Sequence, residues 1–261
     1  MTISVITPTY NTPPQILART WASLKNQTYT DWEWVVYDDS TNDRVWRQLW
    51  GYCADERYTV TPIKGLTHSG SIGQVKRRGF MAAEGDILVE LDHDDELTYD
   101  CLEMLALEFG DGAKFCYSDW SEVLPDGTTG KYPEGWAFGY GKEYYTEEWG
   151  WVMQAPPVNE VTIRHIVSAP NHVRAWDADL YRQLGGHDPS LEVADDYDLV
   201  VRTSLEVKPT YIPRMLYRQH VSPHTAQRKR NKAIQEHVGR ISAKYDSAIS
   251  NATGTTIGVK E

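Results

Sequence analysis

The chain has 261 residues, enough to bury a sizeable core in one α/β domain, and its 26 basic against 37 acidic residues give a net charge of −11. That balance argues against a general nucleic-acid binder, which needs a basic face to displace counterions from phosphates. The chain contains no apolar run of about 18 residues to span a membrane, no signal-peptide pattern in MTISVITPTY, and three widely spaced cysteines (Cys53, Cys101, Cys116) that fit neither a zinc site nor a disulfide framework, so a cytoplasmic setting is expected.

Ile3 to Thr7 reads as a first strand, closed by Pro8. Thr12 and the prolines after it mark a helix start, and Ile16, Leu17, Trp21 and Leu24 then recur at helical spacing. Residues 33–37 form a second strand running into Asp38-Asp39-Ser40-Thr41. A helix with Val45, Leu49 and Tyr52 on one stripe follows, then a strand over 58–63, a helix over 71–83 closed by Gly85, and a strand over 87–91 that ends in Asp92-His93-Asp94-Asp95. Repeated βα units imply a mostly parallel, Rossmann-like sheet flanked by helices, in which ligands gather at the carboxyl ends of the strands. Further on, Leu102, Leu105 and Ala106 mark a helix, 115–117 and 122–124 read as strand segments, and Pro125-Asp126-Gly127 as a turn. Residues 132–157 are aromatic and Gly/Pro-punctuated, without clear periodicity. Helices are predicted over 177–184 and 195–206, and a last one after Ser222-Pro223 with Ile234, Val238, Ile241 and Tyr245 on one stripe. The organisation expected is a single domain over 1–245, divided into a nucleotide-sugar half (1–110), an acceptor and catalytic half (111–220) and a C-terminal helix (221–245), with a disordered tail over 246–261.

Two carboxylates at i and i+2, Asp92 and Asp94, after an apolar strand can converge on one Mn²⁺ or Mg²⁺, leaving the remaining positions to water and substrate phosphates. Such a cation would neutralise a diphosphate leaving group. Asp38 or Asp39 can accept a hydrogen bond from a base N–H or a ribose hydroxyl, or cap the helix that follows. Lys76-Arg77-Arg78 offers positive charge for phosphates, or a solvated helix face. Ten Trp and sixteen Tyr against four Phe favour rings with a polar edge, which suit sugars as well as ordinary packing.

Ile3-Ser4-Val5-Ile6-Thr7-Pro8-Thr9-Tyr10-Asn11, Val35-Val36-Tyr37-Asp38-Asp39-Ser40, the run from Gly85 to Asp95, and Gly185-Gly186-His187-Asp188 with Ala194-Asp195-Asp196-Tyr197 together resemble the family 2 glycosyltransferases of the GT-A fold. The resemblance covers roughly residues 2–220. It implies that Thr7, Thr9 and Tyr10 border the base, that Asp39 holds it, that Asp92 and Asp94 serve the metal with His93 beside the donor, and that Asp196 is the base that deprotonates the acceptor. Asp195 stands where relatives usually carry Glu and remains a rival. Lys76-Arg77-Arg78 stands where relatives often carry Ala-Arg-Asn, which implies a direct phosphate or base contact by Arg77, with Lys76 beside the nucleotide sugar. His220 or His224 could complete the metal shell, and His172 could touch acceptor or diphosphate. Trp136, Tyr140 and Trp151, with Tyr144, Tyr145 and Trp149, are candidates for an acceptor platform or a lid. The expected reaction is metal-dependent, inverting transfer of a sugar from a UDP-sugar to a glycan or lipid-linked acceptor. The basic run Arg228-Lys229-Arg230-Asn231-Lys232 offers either a solvated face or peripheral contact with an anionic membrane. The rival readings are a nucleotidyltransferase, against which the absence of a Gly-rich loop after Ile6 counts, and a non-catalytic carbohydrate-binding protein of the same fold.

Overall fold

Four β-branched runs in the first ninety residues build the parallel half of the sheet: β1 (Ile3–Thr9), β2 (Trp32–Asp38), β3 (Thr59–Lys64) and β4 (Ile87–Glu90). They lie in the order β3-β2-β1-β4, every neighbouring pair parallel. All residues of β1 and β4 are buried, as strands covered on both faces require. The covering helices are α1 (Pro14–Lys25), α2 (Arg44–Cys53) and α3 (Ile72–Ala82). The first begins at Pro14, among the prolines expected to mark its start, where a missing N–H costs nothing. Ser71 caps α3 by accepting from the Gln74 amide at 3.3 Å. The structure is a computed structural model that describes residues 1–167, 169–221 and 226–252, with side chains placed for all of these but 226–231.

The second half adds β5 (Glu96–Leu97), α4 (Cys101–Gly110), β6 (Phe115–Val123), β7 (Lys142–Thr146), β8 (Gly150–Gln154), α5 (Thr162–His165), β9 (Arg174–Asp177), α6 (Ala178–Gln183), α7 (Asp195–Glu206), β10 (Thr210–His220) and α8 (Ala226–Ala252). The sheet continues from β4 as β9-β6-β10-β5. Strand β9 runs antiparallel to both β4 and β6, while β10 is parallel to β6. One sheet therefore passes through both halves of the chain. This is the mostly parallel α/β sheet flanked by helices that the sequence implies.

Several segments differ from the sequence expectation, among them α5 and β9, which it did not foresee. The two strand segments near 115 and 124 are one continuous strand, β6. Part of the aromatic stretch is a hairpin, β7–β8, whose first strand is largely exposed and so shows no apolar alternation. Residues 246–252, expected in a disordered tail, continue α8: Ile249 is fully buried, and Arg164 holds Asp246 at 2.9 Å and Ser250 at 2.8 Å. Residues 253–261 and His224 lie outside the described residues, as do the side chains of 228–231. Among the described residues, no helix is long and apolar enough to cross a membrane.

Half of the tryptophans are core residues: Trp21, Trp32, Trp34, Trp120 and Trp176 are all buried. Trp21 stacks on Trp34 with centroids 5.2 Å apart and on Tyr52 at 5.1 Å, which locks α1 and α2 onto β2.

The turn into β4 has no room for a side chain. A Cβ on Gly85 would sit 2.6 Å from Ser4 Oγ and 2.8 Å from the Ser4 nitrogen and the Thr2 carbonyl, at the start of the strand that sets β4's register. Gly85→Ala is expected to lower stability by about 1–3 kcal/mol through overpacking. Urea denaturation checks this, and an unchanged midpoint would refute it.

Candidate active site

Beyond β4 the chain turns through Asp92–Asp95, with the Asp95 amide donating to the Asp92 carbonyl at 3.2 Å. Helix α1 holds this turn from behind. Thr20 Oγ1 lies 2.9 Å from the carbonyl oxygens of both His93 and Asp95, and Arg19 donates to the Asp94 carbonyl at 2.5 Å. Asp95 faces inward, buried, and accepts from the Tyr217 hydroxyl at 2.8 Å and the His220 amide at 2.7 Å. Burial, then the charges of Asp94 and Asp92, push its pKa well above the usual carboxylate range. Asp92 stays partly exposed, its Oδ2 3.7 Å from His172 Nε2. His172 lies flat against Tyr217, centroids 4.4 Å apart, and burial followed by the Arg174 charge lowers its pKa to about 4. The imidazole is therefore neutral near pH 7 and brings no formal charge to Asp92.

Behind the turn runs a buried chain of ions. Glu90, with no exposed surface, sits 2.5 Å from Lys76 Nζ and 3.0 Å from Arg174 Nε. These are close ion pairs whose angles fall outside those of hydrogen bonds. Arg174 Nη1 then donates to Asp196 Oδ2 at 2.9 Å. The strand register accounts for the meeting. Glu90 pairs directly with Arg174 across the antiparallel β4–β9 ladder, so Asp92, two residues onward, comes opposite His172, two residues back.

Asp195 and Asp196 open α7, where the helix dipole favours acidic groups. Ala194 before them adopts φ +60°, in the left-handed region that alanine rarely enters. Asp195 is buried against Gly73 of α3, with Oδ2 3.9 Å from His187 Nε2. Burial raises its pKa to about 7, and the neighbouring Asp196 charge adds to this against the pull of Lys76. Asp196 keeps a quarter of its side chain exposed. Burial opposes its charge, but Arg174 and Lys76 hold its pKa down at about 2. Of the two carboxylates, Asp196 is the one that reaches solvent in ionised form.

The ends of β1 and β2 form the neighbouring edge of the cleft. Asp39, buried, accepts from the Ser69 amide at 3.0 Å and the Ser69 hydroxyl at 3.0 Å, and lies 2.7 Å from His68 Nδ1. His68 stacks on the half-exposed ring of Tyr10, centroids 4.4 Å apart. Thr9 Oγ1 donates to Asp38 Oδ1 at 3.2 Å, which also accepts from the Ser40 amide. Neither aspartate caps α2, which begins at Arg44.

Several expected site residues sit elsewhere. Thr7 is fully buried, its hydroxyl accepting from the Trp34 indole at 2.9 Å, so it belongs to the core rather than to the base site. Asp38 has no exposed surface to offer a ligand. Lys76 is spent on Glu90 instead of a phosphate, because its place on α3 faces the sheet. Arg77 donates to the His187 carbonyl at 3.3 Å and lines a hollow with Arg202 and Lys244. His220 turns Nε2 to Glu96 Oε1 at 2.5 Å and so leaves the metal set. Trp136 packs edge-on against Trp120 and donates to Glu143, while Trp151 carries Lys131 over its ring at 4.2 Å. Tyr140 is half-buried beside the Ala137–Gly139 turn. His93 contributes its carbonyl to the α1 clamp.

Among the described residues, no group of three or more His, Cys, Asp or Glu side chains gathers to form a metal cage. Two oxygen donors, Asp92 and Asp94, with no Lys or Arg ion pair to either among the described residues, suit a hard cation that takes its other ligands from phosphate and water, and do not suit zinc.

Glu90, Arg174, His68 and Tyr217 are the residues that sequence reasoning missed. For the first the signal was present: a carboxylate inside the apolar run Ile87–Leu91 must have a buried partner.

The sequence model for the family described as "Glycosyl transferase family 2" matches residues 4–167. An uncharacterized protein of Sinorhizobium fredii, y4gI, is 26% identical over 258 residues, covering 93% of this chain and 26% of that protein. The O-antigen biosynthesis protein RfbC of Myxococcus xanthus is 30% identical over 111 residues, covering 41% of this chain and 8% of its own length. The chain thus spans about a quarter or less of these curated relatives. Among solved structures, S. aureus TarS 1–349 in complex with UDP-GlcNAc superposes with a TM-score of 0.68 at 18% identity, over 100% of this chain and 76% of that one.

The raised pKa of Asp195 gives stability a sign with pH. A group protonated more strongly when folded stabilises below its unfolded value of 3.8, and that contribution is lost as pH rises through about 7. Denaturant titrations should therefore show wild type losing stability relative to Asp195→Asn between these limits. A parallel pH dependence of the two would contradict the assignment.

Proposed function

Since this chain belongs to glycosyl transferase family 2, we propose that it moves a sugar from a UDP-sugar to a hydroxyl of a glycan or lipid-linked glycan, with inversion at the anomeric carbon and with Mn²⁺ or Mg²⁺ as cofactor. The observation that carries this reading is the position of Arg174. It holds Asp196 with one nitrogen and, with another, Glu90, two residues before Asp92. Carboxylates from two distant parts of the chain thereby face one cleft at the carboxyl ends of the parallel strands. The complexes of TarS with UDP-GlcNAc and the O-antigen biosynthesis named for RfbC support the donor and acceptor classes.

In this reading the base rests against Tyr10 and Asp39, displacing His68, and the diphosphate extends toward Asp92 and Asp94. A cation held by those two carboxylates would supply neutralisation of the charge that builds on the diphosphate. Asp196 orients the acceptor hydroxyl and takes its proton as the oxygen attacks the anomeric carbon opposite the departing diphosphate. One C–O bond forms, one breaks, and the nucleoside diphosphate leaves. Arg174 fixes Oδ2 of Asp196, and Oδ1, which accepts from the Tyr197 amide at 2.8 Å, keeps a second lone pair for the acceptor proton, while Asp195, buried, positions the helix start.

Asp196→Asn is expected to cut transfer by about 10²–10⁴-fold while leaving UDP affinity intact, measured by product assay and calorimetry. Undiminished turnover would remove Asp196 from the role. Asp94→Ala is expected to abolish the gain in UDP affinity that Mn²⁺ confers. If wild type binds UDP equally well with and without the cation, the metal part of the reading fails. Release of pyrophosphate in place of UDP would favour the nucleotidyltransferase alternative.

A further inference from the structure

Away from the acidic turn, a hollow of about 220 Å³ opens between the β7–β8 hairpin, the start of α4 and the middle of β10. One wall exists because β10 bulges. Its register against β6 jumps from Ile212 to Met215, which pushes Pro213 and Arg214 out of the ladder. Arg214 turns to Asp100, Nη2 to Oδ2 2.9 Å. The opposite wall carries Tyr144, exposed at 37%, whose hydroxyl donates to Asp119 Oδ2 at 3.0 Å. Asp119 is itself 2% exposed, and its other oxygen accepts from the Tyr211 hydroxyl at 2.6 Å and the Ala155 amide at 2.8 Å. A surface ring is thus moored to a buried anchor, so the entropy of fixing it is lost on folding and not again on binding. Tyr99, 48% exposed, and Trp149 complete the aromatic lining.

The hollow is joined to the reaction centre. The Arg218 guanidinium lies over the Trp149 ring at 5.7 Å and 3.5 Å from Glu96, the residue after the acidic turn. Tyr99 follows Glu96 by three residues, a reach of at most about 10 Å.

We propose that this hollow is a carbohydrate subsite that holds a pyranose unit of the acceptor glycan, set back from the sugar whose hydroxyl reacts; the assignment rests on the glycosyltransferase reading above. Aromatic faces stack on the C–H faces of a sugar, and Asp100, Glu148 and Arg214 offer partners to its hydroxyls. Two carboxylates beside one guanidinium that is already paired repel an anion, and the charged rim disfavours an apolar ligand. The volume lies below the roughly 300–1,000 Å³ typical of drug-sized ligands, which leaves room for one ring rather than a chain.

Saturation-transfer NMR with the methyl glycosides of glucose, galactose, mannose and N-acetylglucosamine tests the assignment. At least one glycoside is expected to receive saturation from wild type, and Tyr99→Ala/Trp149→Ala to weaken its binding about tenfold or more. Tyr144→Phe, which keeps the ring but cuts its mooring to Asp119, is expected to weaken binding to a smaller degree. Both variants should keep the UDP-induced rise in melting temperature, which also establishes that they are folded. No saturation of any of the four glycosides by wild type, or full binding in the double variant, overturns the subsite. Absence of UDP binding to wild type would instead strike the donor reading, so the two failures are distinguishable.

Discussion

A carboxylate with no exposed surface, Glu90, lies between Lys76 and Arg174, and the rest of the cleft is arranged around it. Taking one such charge out of water costs several kcal/mol, which is recovered only when partners approach closely. Arg174 and Lys76 do so, and against the effect of burial they hold the Glu90 pKa well below its ordinary value. Apolar residues of equal volume stabilise a core about as well as a buried ion cluster, so stability alone does not explain these charges. What they fix is position: four side chains from α3, β4, β9 and α7 have to meet, and in meeting they set Asp196 beside the strand that delivers Asp92.

Adjacent residues of one type receive opposite environments at the start of α7. A left-handed Ala194 turns the chain so that Asp195 enters the interior while Asp196 remains in the cleft. Burial pushes the first toward neutrality, and Arg174 keeps the second ionised. Two like groups thus take different roles because successive side chains of a helix point about 100° apart, next to an entry residue whose left-handed φ costs on the order of 1 kcal/mol.

Much of the first half was legible in the sequence. Strands buried on both faces need runs rich in apolar and β-branched residues, as in β1, β2 and β4. The half-buried edge strand β3 still carries Val60 and Ile63, and the helices between the strands need an apolar stripe, so these elements declare themselves. The β7–β8 hairpin did not, because its first strand is largely exposed and leaves no alternation to read. Four-residue β9 is too short to show a period. In the site, Asp92, Asp94 and Asp196 stood out as acids at element ends. Lys76 was misjudged as a phosphate ligand, although Gly73, Lys76 and Phe80 recur at helical spacing and are all buried. A residue's charge suggested solvent; its periodicity, which pointed inward, was the better guide. The tryptophans divide similarly, with half forming the core and others left for the surface near the hairpin.

The clamp on the acidic turn comes from Arg19 and Thr20, and the next residue, Trp21, is the centre of the aromatic stack on Trp34 and Tyr52. A helix is stiff along its axis and transmits displacement almost unreduced over one turn. The acids at the mouth of the cleft therefore inherit their positional accuracy from indole rings in the interior, and loosening that stack would be felt as blurred placement of the carboxylates before any loss of fold.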